Sequence, residues 1–147
     1  MANPEQRHSG VVLITGASSG IGADAALYLN ELGYTVAANV RKEEEGQALK
    51  AKAKFPDAYH PIKFDVTSDD EVAAALNQVE ALLEPGQGLR ALFSNAGIAN
   101  FGGDVSCEGL PIAKQEQLLQ VNFLGAMRVI QTFLPLVRQA KGSIVIN

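Results

Sequence analysis

The chain has 147 residues, 47% apolar and 19% charged, which suits one globular α/β domain and excludes a disordered or fibrous chain. A formal net charge of −4 without a basic run excludes the positive patch that nucleic acid or an anionic membrane surface requires. One cysteine excludes an intramolecular disulfide, and no stretch reaches the roughly 18 apolar residues of a spanning helix.

Residues 1–10 read as a tail without the apolar core of a signal peptide, so a soluble cytoplasmic protein is expected. Val11 to Ile14 is a short apolar run, as expected of a strand buried on both faces, and the glycine turn T-G-A-S-S-G-I-G from Thr15 to Gly22 closes it. Gly22 to Leu32 carries a helical stripe (Ala25, Ala26, Leu29, Leu32) that ends at Gly33. Tyr34 to Val40 predicts a second strand and Glu43 to Lys54 a second helix, stopped before Pro56.

Ile62 to Phe64 predicts a third strand running into Asp65-Val66-Thr67. Ser68 to Glu71 then spells a capping box that opens a helix to about Leu83. Leu89 to Ser94 is the fourth strand. A glycine-containing loop, Ile98 to Pro111, leads to a long helix from about Lys114 to Gln139, and Ser143 to Ile146 is the fifth strand. Strands alternating with helices imply right-handed parallel crossovers, hence a doubly wound parallel sheet of Rossmann type in the order 3-2-1-4-5. Residues 11–147 form one domain in this reading. Its ligand should lie at the switch point between strands one and four, across the carboxyl ends of the strands.

The glycine turn sits where such a fold binds a dinucleotide. Gly16 permits the tight exit from the strand, Gly20 lets backbone approach a pyrophosphate, and Gly22 lets the helix pack on the sheet. The helix N-terminus then offers free N–H groups and a positive dipole end to phosphate. The spacing G-x-x-x-G-x-G, within strand–turn–helix context, resembles the short-chain dehydrogenase/reductase family. Further matches follow in order: Asp65-Val66-Thr67, Ser94-Asn95-Ala96-Gly97 (close to the family's N-N-A-G), Val121-Asn122-x-x-Gly125, Leu134-Pro135-Leu136, and Gly142 to Asn147. The resemblance covers nearly all of the chain from Val11. It implies an NAD(P)-dependent oxidoreductase that interconverts a small-molecule alcohol and a carbonyl. It also implies cofactor contacts at Thr15, Gly16, Ser18, Ser19, Gly20, Ile21, Gly22, Asp65, Val66, Asn95, Ala96 and Gly97, with no metal site.

The end of strand two bears on the choice of cofactor. A carboxylate there would hold the ribose hydroxyls of NAD, whereas an arginine accommodates the extra phosphate of NADP. The family's acidic position falls at Val40, and Arg41 follows with Lys42. A guanidinium fork matches phosphate, which favours NADP over NAD. Against this, Arg41 and Lys42 could be the solvated start of a helix paired with Glu43 to Glu45, and Ser19 stands where the family often has a second basic residue.

The family's catalytic set is a serine, a tyrosine with a lysine four residues on, and an asparagine in the long helix that holds a proton-relay water. Only the asparagine has a counterpart, Asn122. Tyr59 and Lys63 spell Y-x-x-x-K, but a proline lies between them and the segment runs into a strand. There, four residues span about 13 Å, instead of stacking one turn apart as in a helix. Both read as structural or surface residues. Tyr28 and Tyr34 have no lysine at that spacing. His8 and His60 read as solvent-facing, and Cys107 as a small loop residue.

The resemblance places the serine, tyrosine and lysine beyond Asn147, so the chain reads as the cofactor-binding half of the fold, lacking its last strands and inactive alone. It would leave the apolar edge of strand five bare, a liability that predicts aggregation unless a partner covers it. In the family the long helix helps form the dimer interface, so the parent protein is expected to be a homo-oligomer. A non-catalytic dinucleotide- or partner-binding module, or a truncated remnant, are the alternatives. The codons after Asn147 distinguish them.

Overall fold

The apolar run Val11–Ile14 forms β1, buried at every position, because helices cover both faces of the sheet it centres. Val11 and Leu13 pack on one side with Val72, Val79, Val129 and Phe133. Val12 and Ile14 pack on the other with Ala23, Ala26 and Leu49. Successive side chains of a strand point to opposite faces, so burial on both sides removes the polar alternation of a half-exposed strand. This computed structural model describes residues 9–99 and 109–147.

Around β1 lie β2 (Thr35–Val40), β3 (Tyr59–Lys63), β4 (Leu89–Ser94) and β5 (Ser143–Ile146), in one parallel sheet of order β3-β2-β1-β4-β5. Helices α1 (Gly20–Glu31) and α2 (Glu43–Lys50) cover one face, and α3 (Asp69–Glu80) covers the other. The long helix beside α3 consists of α4 (Ile112–Leu119), a π-helical segment (Gln120–Gly125) and α5 (Ala126–Gln139). The Rossmann-type fold and strand order are those expected. No helix among the described residues is long and apolar enough to cross a membrane.

Three local differences from the sequence expectation have physical reasons. β3 starts at Tyr59, not Ile62, because Tyr59 is fully buried opposite Val36. Pro61 is tolerated because β3 is an edge strand, where a missing N–H costs no ladder bond on its outer side. α2 stops at Lys50, and tighter turns follow (Lys52 N–H to Leu49 O, 2.9 Å; Ala53 N–H to Lys50 O, 3.1 Å). These bring Phe55 onto Asn30, whose carboxamide accepts from the Phe55 N–H at 2.9 Å and donates to the Phe55 carbonyl at 3.0 Å.

The third difference is the π-helical segment over V-N-F-L-G. Gly125 lies against the Val66 side chain, and a Cβ there would fall 2.7 Å from Val66 Cγ2, so the wider turn seats the long helix on the exit of β3. At the far side of the sheet β5 pairs only with β4 among the described residues. Val145 and Ile146 are 51% and 66% exposed there.

Candidate functional site

The carboxyl ends of β1 to β4 open into one cleft of about 260 Å³. Its wall combines Gly16, Ser18, Ser19 and Ile21 of the glycine turn with Asn39, Val40 and Arg41 at the exit of β2. Phe64, Asp65 and Val66 follow β3, Asn95 to Ile98 follow β4, and Val121 reaches in from the long helix.

Each glycine of the turn has its own reason. Gly16 (φ +65°) and Gly20 (φ +56°) adopt the left-handed conformation. A Cβ on Gly16 would lie 2.8 Å from Ala96 Cα, whereas one on Gly20 would meet nothing within 4 Å, so Gly20 is required by its backbone conformation alone. A Cβ on Gly22 would strike the Gly16 carbonyl oxygen and approach Asn95 Nδ2 to 2.5 Å.

The first turn of α1 is left bare. Ser19 stands at its cap in extended conformation, its side chain makes no capping bond, and the first turn holds no acidic residue. By contrast, α3 is capped by Ser68, whose hydroxyl accepts from the Glu71 N–H, and Asp69, Asp70 and Glu71 fill its first turn. Glu71 does not return the bond to Ser68, as a full capping box would; it accepts from the Asp65 N–H at 2.8 Å. The N-terminus of α1 therefore keeps its orphan donors and positive dipole end for an anion in the cleft.

Below the cleft, Thr15 is fully buried, and its hydroxyl accepts from the amides of Asn95 and Ala96, both at 2.9 Å. Asn95 returns the link, its Nδ2 donating to the carbonyls of Thr15 (3.0 Å) and Gly16 (3.2 Å). Asn122 is bound to the next stretch. Its Oδ1 accepts from the Ile98 N–H and its Nδ2 donates to the Ile98 carbonyl, both at 2.8 Å. It is thus satisfied across the cleft wall rather than within its own helical turn. Thr15, Gly20, Gly22 and Asn122 shape the wall from behind it.

Two charged groups face the cleft. Asp65 Oδ1 accepts from the hydroxyl (2.6 Å) and amide (2.8 Å) of Thr67. The hydroxyl bond, then the amide bond, hold its carboxyl below the ordinary carboxylate value; Arg41 and Arg128 add to this while burial opposes it. Arg41 is exposed and has no ion-pair partner among the described residues, whereas its neighbour Lys42 pairs with Glu45 at 3.7 Å. The two basic residues that the sequence offered together therefore part company.

Sequence reading missed Asn39, which is 2% exposed at the mouth of the cleft. Its signal was the lone amide in T-V-A-A-N-V, a run otherwise suited to a strand buried on both faces. Tyr59 and Lys63 form no site: Tyr59 lies buried in β3 with a hydroxyl that finds no partner among the described residues, and Lys63 is exposed. His60 is half-buried, a correction to the solvent-facing expectation, with its pKa lowered by burial and by the Lys50 charge. His8, Cys107 and residues 100–108 of the expected Ile98–Pro111 loop lie outside the described residues.

The family model described as short chain dehydrogenase matches residues 10–147. The chain belongs to the short-chain dehydrogenase family. Members of that family are oxidoreductases that use NAD or NADP. This short-chain dehydrogenase sequence is 36% identical over 134 residues to the 17-beta-hydroxysteroid dehydrogenase type 2 of Homo sapiens, covering 91% of this chain and 34% of that protein. Against the mitochondrial D-beta-hydroxybutyrate dehydrogenase of Bos taurus, identity is 35% over 140 residues, covering 93% and 40% respectively.

A crystal structure of a short-chain type dehydrogenase/reductase from Mycobacterium marinum superposes with a TM-score of 0.80 at 28% identity, covering 93% of this chain and 54% of the other. The alcohol dehydrogenase from the archaeon Thermococcus sibiricus, solved with 5-hydroxy-NADP, shares the fold with a TM-score of 0.82 at 23% identity, covering 95% and 57%. The chain thus spans 34–40% of the length of these two curated relatives.

Proposed function

We propose that these residues form the cofactor-binding part of an NADP-preferring oxidoreductase that interconverts a small-molecule alcohol and a carbonyl. The observation that carries the reading is the join of an uncapped helix N-terminus to an arginine that makes no salt bridge among the described residues, across one cleft. The donor set suits a dinucleotide phosphate: the orphan amides at the start of α1, and an exposed guanidinium that makes no salt bridge among the described residues.

The bound nicotinamide supplies hydride transfer. On this side of the reaction, the turn from Thr15 to Gly22 holds the pyrophosphate, Asp65 and Val66 hold the adenine, and Arg41 holds the ribose phosphate. Asn95, Ala96 and Gly97 line the wall that the cofactor crosses. Asn122 fixes that wall through Ile98, which is its part in the catalytic set. Of the three tyrosines only Tyr59 precedes a lysine by four, and it is buried in an edge strand. Proton transfer is therefore assigned to no residue among these 147. Apolar side chains exposed on the long helix, Leu119, Phe123 and Met127, support a homo-oligomeric whole protein.

Titrating the purified chain with NADPH and NADH, followed by nucleotide fluorescence, tests the proposal. Saturable binding with NADPH tighter than NADH is expected, without turnover of added ketones. Equal affinity for the two removes the role of Arg41, and no binding of either overturns the reading.

A further inference from the structure

Asn39 is a buried amide at the end of a strand whose other buried side chains are apolar, and all of its polar atoms reach other segments or the strand's own end. Its Oδ1 accepts from the Gly16 N–H at 3.0 Å, and its backbone carbonyl accepts from the Ala17 N–H at 2.8 Å. Its Nδ2 donates to the Phe64 carbonyl at 2.8 Å and to the Val40 carbonyl at 3.5 Å. The orientation of the carboxamide is forced, since the reverse would set its NH₂ against the Gly16 N–H.

Two consequences follow. The Gly16 and Ala17 amides of the glycine turn both end on one residue, so they are withdrawn from anion binding and the donors left over lie farther along, towards the start of α1. The same side chain fixes the exit of β3, immediately before Asp65, at one spacing from the turn. A ligand spanning the cleft meets the turn with its phosphates and the β2 and β3 exits with its nucleoside, and among the described residues Asn39 is the side chain bonded to all three.

We propose that Asn39 is a positioning residue that couples the phosphate end of the cleft to its nucleoside end, so that a dinucleotide is bound as a unit and not as two independent halves. The proposal rests on the reading of the cleft as a dinucleotide site, and goes beyond it by assigning the coupling to one side chain. Removing a buried hydrogen-bonded amide strands both of its partners, here the Gly16 N–H and the Phe64 carbonyl.

The test compares NADPH with adenosine 2′,5′-bisphosphate, which fills the nucleoside end without spanning the cleft. In Asn39→Leu, close in volume, NADPH affinity falls by about tenfold or more, the worth of one stranded buried group, while the bisphosphate loses less than about threefold. Equal loss for both ligands, or for neither, overturns the coupling, since a residue that merely supports the fold would weaken both alike. Should Asn39→Leu fail to fold, Asn39→Asp takes its place, keeping the acceptor for Gly16 and losing the donor to Phe64, with the same split expected.

Amide hydrogen exchange in the unsubstituted chain provides an independent arm. Gly16 and Ala17 exchange slowly while Gly20 and Ile21 exchange fast; a Gly16 amide as fast as Ile21 contradicts the link. Should the unsubstituted chain bind no NADPH, the dinucleotide reading fails and the coupling with it, whereas binding with no ligand split in the variant sinks the coupling alone.

Discussion

Replacing Thr15 with valine removes one oxygen and leaves the shape of the side chain nearly unchanged. Thr15 is fully buried, and its hydroxyl is the shared acceptor for the amides of Asn95 and Ala96, each at 2.9 Å, while itself lying 3.5 Å from the Phe93 carbonyl. Valine strands both amides without opening a cavity. An unsatisfied buried group costs about 1–3 kcal/mol, and both amides belong to half-buried residues, so the substitution should cost roughly 2–4 kcal/mol. A domain holds only about 5–15 kcal/mol of stability. At about 2–4 °C per kcal/mol for a chain near this size, the melting temperature should fall by roughly 5–15 °C.

Differential scanning calorimetry of Thr15→Val beside Thr15→Ser separates hydroxyl from methyl. Serine keeps the acceptor and loses one methyl group, worth about 1 kcal/mol, so it should melt within a few degrees of the unsubstituted chain. NADPH affinity should fall in Thr15→Val and hold in Thr15→Ser, because the loop that the hydroxyl fixes also lines the cleft. The reasoning is refuted if Thr15→Val melts within about 2 °C of the unsubstituted chain, or if serine costs as much as valine.

Further outcomes follow from single groups. Arg41→Ala should weaken NADPH by about tenfold, in line with a charge-assisted bond of about 1.5–3 kcal/mol, and leave NADH unchanged in the same titration. Tyr59→Phe removes a buried hydroxyl with no partner among the described residues and should raise stability by about 1 kcal/mol in urea unfolding. Burial pushes Tyr59 up from 10.0 to about 12; its folded-state stability is therefore full below pH 10.0 and declines as pH rises towards 12, a decline that Tyr59→Phe should lack. Asp65 is depressed below 3.8, first by the Thr67 hydroxyl. The stability gap between the unsubstituted chain and Thr67→Val should thus be present above pH 3.8 and close as pH falls through the depressed value, read from unfolding midpoints.

The fold was legible because its signals are local. Val11 to Ile14 had to be buried on both faces, the glycine turn had to follow a strand and open a helix, and Ser68 announced a helix start. β3 was misjudged because Pro61 looks like a breaker, and only its place at the edge of the sheet makes it acceptable. The π-helical segment was invisible because it depends on Gly125 meeting Val66, residues far apart in the chain. Asn39 was missed for the same reason: a lone amide in an apolar strand gives no hint of partners at Gly16 and Phe64. Arg41 was singled out by its place at the end of strand two, whereas its pairing with Glu43 to Glu45 stayed open in sequence; among the described residues it is Lys42 that pairs, with Glu45.

The cleft assignment is tested most directly by mapping backbone amide shifts of the 147-residue chain during titration with NADPH. Saturable changes should concentrate at Ser18 to Ile21, Arg41, Asp65 and Asn95 to Gly97, with those at Arg41 absent when NADH replaces NADPH. Changes centred away from the carboxyl ends of β1 to β4, or the same pattern at Arg41 with both nucleotides, would contradict it.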